Sequence, residues 1–102
     1  MPTLHTVNKS PFERTAFGSC LKHLAAGDAV LVLEDGVVGL RKATAFAGDL
    51  DAVSGDHKLY ALGPDLDARG LKADDLVSGI TVVDYDGFVD LVAEHDRTQA
   101  WL

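Results

Sequence analysis

Short apolar runs alternate with amphipathic stretches along the chain, and the two patterns predict different elements. Short strands are predicted over 4–7, 28–33, 58–62 and 80–83. The stretch Asp28-Ala29-Val30-Leu31-Val32-Leu33 is continuous, as expected of a central strand covered on both faces. Phe12, Ala16, Phe17, Cys20, Leu21 and Leu24 recur at helical spacing. Ser10-Pro11-Phe12-Glu13 predicts the start of that helix, with Ser10 as cap, Pro11 at the first helical position and Glu13 completing a capping box; Gly27 predicts its stop. A second helix is predicted over 38–47, ended by Gly48, followed by a loop over 49–56. Residues 65–69 predict a short helix capped by Gly70, while 71–78 are ambiguous. From Asp84 a last helix places Tyr85, Phe88, Val89 and Val92 on one face, and 99–102 read as a short fifth strand.

Strands alternating with helices predict an α/β fold: a single domain over 1–102, with a parallel sheet of about five strands and helices on both faces. The length of 102 residues suits one core. A net charge of −7, from 16 acidic and 9 basic side chains, argues against direct nucleic-acid binding, which draws on clustered Lys and Arg. The densest basic stretch is Arg41-Lys42. Positive mean hydropathy (+0.10) despite that charge points to apolar surface kept for a partner. The apolar runs are far below the roughly 20 residues needed to span a bilayer. Met1-Pro2-Thr3-Leu4 lacks the basic-then-apolar pattern of an export signal, and one unpaired cysteine fits a reducing cytoplasm.

Cys20 is the single cysteine, so it is a nucleophile, a sulfur carrier or a core residue. On a helical wheel it falls at the centre of the apolar arc, which favours burial. It lies well inside its helix, where the dipole gives the thiolate little help. His23, three residues on, is the local group placed to assist it. Carboxylates gather at predicted strand ends, at Glu34, Asp35, Asp65, Asp84 and Asp86. They could bind magnesium, but such positions are more often helix caps and turns. Gly36-Val37-Val38-Gly39 lacks the third glycine and the lysine of phosphate loops. His5, His23, His57 and His95 show no zinc-ligand spacing, and no metal or cofactor is expected. Trp101 is expected to pack at the sheet edge or in a subunit contact.

Several blocks in combination resemble the DsrH/TusB family of small sulfur-relay subunits. They are Leu4-His5-Thr6-Val7-Asn8-Lys9-Ser10-Pro11-Phe12, Gly27 through the strand to Glu34-Asp35-Gly36-Val37, Tyr60-Ala61-Leu62, Ala68-Arg69-Gly70-Leu71, Asp84-Tyr85-Asp86-Gly87-Phe88-Val89 and Trp101. The resemblance runs nearly end to end. It implies a DsrE/DsrF/DsrH-like fold and a cytoplasmic α2β2γ2 heterohexamer with homologous DsrE/TusD-type and DsrF/TusC-type subunits. Sulfur then travels as a persulfide, with the main carrier cysteine on the DsrE/TusD-type partner and a DsrC/TusE-like sulfur-carrier protein in exchange with the complex. DsrH-like members serve oxidation of stored sulfur; TusB-like members serve thiolation of the tRNA wobble uridine. A cysteine in the first helix is similar to the DsrH branch. The resemblance thus implies a sulfur-oxidation subunit with Cys20 as a secondary persulfide acceptor and His23 assisting. The alternatives are the tRNA-thiolation branch and a structural subunit with no covalent step.

Overall fold

The structure is a computed structural model that describes residues 2–102. Five strands, Thr3–Val7 (β1), Ala29–Val32 (β2), Lys58–Leu62 (β3), Ile80–Val83 (β4) and Arg97–Trp101 (β5), form one sheet. Its order is β4-β3-β2-β1-β5 and every neighbouring pair is parallel. The α/β class and the parallel sheet match the expectation from the hydrophobic pattern.

The layering follows from handedness. Right-handed crossovers that keep stepping in one direction put their helices on one face of a parallel sheet. From β1 to β4 the steps all go one way. Accordingly α1 (Ala16–Lys22), α2 (Ala47–Ser54) and α3 (Gly63–Ala68) bury Phe17, Cys20, Leu21, Leu50 and Leu66 in one cluster with Val7, Val30 and Val32. The return from β4 across the sheet to β5 reverses direction. Its helix, α4 (Tyr85–Glu94), lies on the opposite face, where Leu91 packs on Leu4, Ala29 and Leu31.

Some helix boundaries differ from expectation. The first helix does not begin at Ser10. Ser10 Oγ accepts the Phe12 amide at 3.2 Å and its carbonyl accepts the Glu13 and Arg14 amides, closing a turn that does not propagate. Pro11 instead docks on Gly39, where an added Cβ would lie 2.6 Å from the proline ring. Phe12 is left 51% exposed, and α1 starts at Ala16.

Nor is there an α-helix over 38–47. Residues Glu34–Leu40 form a 3-10 segment that buries Val37 and Leu40 and brings Gly36 against the end of β1; a Cβ there would sit 2.8 Å from the Val7 carbonyl oxygen. The chain then extends at Arg41, which bridges Leu76. The Lys42 amide donates to Asp75 O at 2.8 Å and the Val77 amide to Leu40 O at 2.9 Å. Those bonds use backbone groups that a helix would need. The second helix comes later, over the stretch read as a loop, where α2 buries Leu50.

Gly27 does not stop α1, which ends at Lys22 with His23 as its cap, whereas the caps expected of the later helices hold. Gly70, at φ +67°, closes α3: its amide donates to Asp67 O and that of Leu71 to Leu66 O, the paired bonds of a Schellman cap. Asp84 caps α4 by accepting the Gly87 amide at 2.8 Å.

Candidate functional site

The parallel winding reverses between β1 and β5, which makes their boundary the switch point of the sheet. A cavity of about 490 Å³ opens along this boundary on the α1 face; its walls include Thr3, His5, His23, Asp28, Gln99 and Trp101.

Three of these side chains form one chain of hydrogen bonds. β1 alternates, sending His5 to the same face as Val7 and α1. Trp101, on the neighbouring strand, donates its indole N–H to His5 Nδ1 at 2.9 Å. Indole is only a donor, so Nδ1 must accept and the ring proton belongs on Nε2. His5 Nε2 then donates to Asp28 Oδ2 at 2.8 Å.

Asp28 is the node. Its carboxylate also accepts the Thr3 amide at 2.9 Å and the Ala25 amide at 3.0 Å. Its amide donates to Ala25 O, and its carbonyl accepts from His57 Nδ1 at 2.9 Å. Burial alone would raise the carboxyl, but the bonds from Ala25, His5 and Thr3 outweigh it and bring the pKa down to about 2. The side chain therefore ties β1 to the α1–β2 loop, and the main chain of the same residue adds the α2–β3 turn. Both ring nitrogens of His5 are occupied, so it is not a free base.

Cys20 lies on the same side of the sheet but is fully buried, in the cluster with Phe17, Leu21 and Val7. Burial, with a smaller contribution from the Asp28 charge, pushes its thiol up to about 12. The Cys20 carbonyl accepts the His23 amide at 3.0 Å. His23 is exposed at the end of α1, its Nδ1 donating to Ser19 O at 2.7 Å, and its ring lies 5.7 Å from the Trp101 ring. The structure thus brings His23 to Trp101.

Three of the five carboxylates at strand ends, Asp35, Asp65 and Asp84, have structural partners. Asp65 Oδ2 accepts the Glu34 amide at 2.7 Å, and Asp35 accepts from Arg69 at 2.8 Å. Among the described residues no three His, Cys, Asp or Glu side chains converge to hold a metal ion, and no helix is long and apolar enough to cross a membrane.

Sequence reasoning missed His5 and Asp28 as members of a site. The available signal was a histidine on the inward face of a buried strand and a carboxylate opening an otherwise apolar one. Either must find a partner when buried.

Fold and site together define a small parallel α/β protein with one buried, protonated thiol and a histidine whose two ring nitrogens are both engaged. The family model described as DsrH like protein matches residues 9–98, and the chain belongs to this DsrH/TusB family of sulfur-relay subunits. It is similar to Protein TusB of Photorhabdus laumondii, 39% identical over 99 residues that cover 96% of this chain and 99% of that protein. Protein TusB of Escherichia coli K12 is 37% identical over 98 residues, with the same coverage. Among solved structures, the E. coli ychN protein superposes with a TM-score of 0.83 at 12% identity, covering 99% of this chain and 100% of that one. MTH1491 from Methanobacterium thermoautotrophicum, described as of unknown function, gives 0.81 at 22% identity, covering 97% of both chains. At those identities the structures show the fold alone.

Proposed function

We propose that this chain is a non-carrier subunit of a cytoplasmic sulfur relay serving 2-thiolation of the tRNA wobble uridine. The observation that carries the reading is its similarity to TusB proteins over nearly the full length of both partners. These relatives support the thiolation branch over the sulfur-oxidation branch that the first-helix cysteine suggested. The chain assembles with DsrE/TusD-type and DsrF/TusC-type subunits and serves exchange with a DsrC/TusE-like carrier. With a charge of −7, contact with tRNA falls to another component.

The state of Cys20 supports the non-carrier role. Accepting sulfur requires a thiolate to attack the outer sulfur of a donor persulfide: a new S–S bond forms at Cys20, the donor S–S bond breaks, and the donor leaves as a thiolate. A thiol held near 12 inside the apolar cluster is not ionised at neutral pH. Service as an acceptor, with His23 assisting, would need α1 to move and a partner to supply positive charge. Sulfur instead passes between partner cysteines while this subunit shapes their surroundings.

Modified-nucleoside analysis of a deletion strain tests the pathway, with loss of wobble 2-thiouridine as the expected result. Full thiolation in the deletion strain would sink the reading. Mass spectrometry of the assembled complex after incubation with a persulfidated donor tests the non-carrier role: a gain of one sulfur atom on Cys20 would restore it as an acceptor.

A further inference from the structure

The single helix on the second face of the sheet presents a surface that the fold does not use. Tyr85, Val89 and Val92 stand at i, i+4 and i+7 on α4 and are 59%, 66% and 42% exposed. At about 100° per residue they span roughly 60° of the helix, directly beside Phe88 and Leu91, which pack on the sheet. On the far side of the stripe run Asp86, Asp90 and Glu94 at i, i+4 and i+8, all exposed. Residues 84–96 hold five carboxylates (Asp84, Asp86, Asp90, Glu94, Asp96) and no Lys or Arg.

Neither feature favours the isolated helix. Valine is a weaker helix former than the residues usual on solvated faces. Carboxylates four residues apart repel one another. A contiguous apolar stripe with a charged rim is the pattern of an interaction surface.

The charge selects the occupant. A second copy meeting this face across a two-fold axis offers the carboxylate row no Lys or Arg from residues 84–96, and with the helices antiparallel it sets one row against the other. Nucleic acid and anionic lipid are repelled for the same reason. We propose that Tyr85, Val89 and Val92 form a docking surface for a protein partner whose matching face sets an apolar patch beside a row of Lys or Arg side chains. This inference rests on the relay reading for the choice of binding probe.

The test titrates the purified chain with the DsrE/TusD-type and DsrF/TusC-type subunits of the same genome, at low and high salt. Val89→Lys weakens binding about 100-fold, by placing a cation against a basic rim and removing an apolar contact. The triple variant Asp86→Asn, Asp90→Asn, Glu94→Gln weakens it about 10-fold at low salt and flattens the salt dependence. Both variants stay folded, with melting temperatures within a few degrees of the wild type, because the altered side chains are exposed. Wild-type binding with unchanged affinity in both variants overturns the docking surface and leaves the relay reading standing. A wild-type chain that binds neither subunit overturns both. Self-association of the isolated chain that Val89→Lys abolishes also overturns the inference, since the occupant would be a second copy.

Discussion

Asp28→Asn is the substitution that most directly tests the His5–Asp28–Trp101 chain. Asp28 Oδ2 receives two donors, the Ala25 amide and His5 Nε2. An Asn amide nitrogen placed there faces both. Turning His5 to its other tautomer would let Nε2 accept, but Nδ1–H would then oppose the donor-only indole of Trp101. Rotating the amide moves the conflict to the Thr3 amide at Oδ1. Every arrangement leaves at least one buried donor unmet, at about 1–3 kcal/mol, and also loses charge-assisted bonds. The lowered pKa gives an independent magnitude. A fall from 3.8 to about 2 corresponds to about 2.4 kcal/mol in favour of the ionised folded state. The variant should therefore lose about 2–4 kcal/mol at pH 7, or roughly 10–25 °C in melting temperature for a domain of this size. Because the folded pKa is depressed, this stability is fully present above the unfolded value of about 3.8 and is lost as the pH falls towards 2. Urea titrations of both proteins between pH 7 and pH 2.5 should show a gap that is constant down to about pH 4.5 and then narrows. A loss below about 0.5 kcal/mol at pH 7, or a gap indifferent to acid, would refute the account of Asp28.

Four further expectations follow from the same packing. Cys20 at a pKa near 12 rather than 9.0 holds about a thousandth as much thiolate at pH 8; after allowance for the greater nucleophilicity of a more basic thiolate, disulfide-exchange labelling should be at least about 50-fold slower in the native chain than in urea. Labelling at matched rates would show the thiol to be accessible. Cys20→Ser buries a hydroxyl in the apolar cluster and should cost about 1–3 kcal/mol by chemical denaturation. Trp101→Phe removes the donor to His5 Nδ1; a loss of about 1 kcal/mol is expected, together with a changed ¹⁵N shift at Nδ1 that a mere packing contact would not produce. Gly36→Ala drives a Cβ to 2.8 Å from the Val7 carbonyl oxygen and 2.9 Å from Val32, so a loss of about 1–3 kcal/mol is expected, and an unshifted melting curve would contradict that close approach.

The strands were legible because their runs are short, apolar and bounded by polar residues, and α4 was legible because Asp84 announces its cap. The first half of the α/β pattern was harder. Ser10-Pro11-Phe12-Glu13 carries every local signal of a helix start, yet Pro11 is held by Gly39, a contact nearly thirty residues away that no window can contain. α2 was hidden because only Leu50 among its residues is buried, while Gly48, Asp49 and Asp51 read as loop. At the site, Trp101 was correctly placed at the sheet edge. Its partner could not be read, because parallel pairing sets Trp101 opposite Val7 and its indole reaches back to His5, a separation of 96 positions. Burial of Cys20 was visible from the helical wheel; its nearness to Asp28 was not.

That separation bears on when the site is finished. β5 follows every other strand in the chain, and it pairs with the first. Domains take shape as they emerge during synthesis, so the earlier strands can zip together while the cavity still lacks its indole wall. The cavity is therefore complete only once β5 has joined the sheet beside β1.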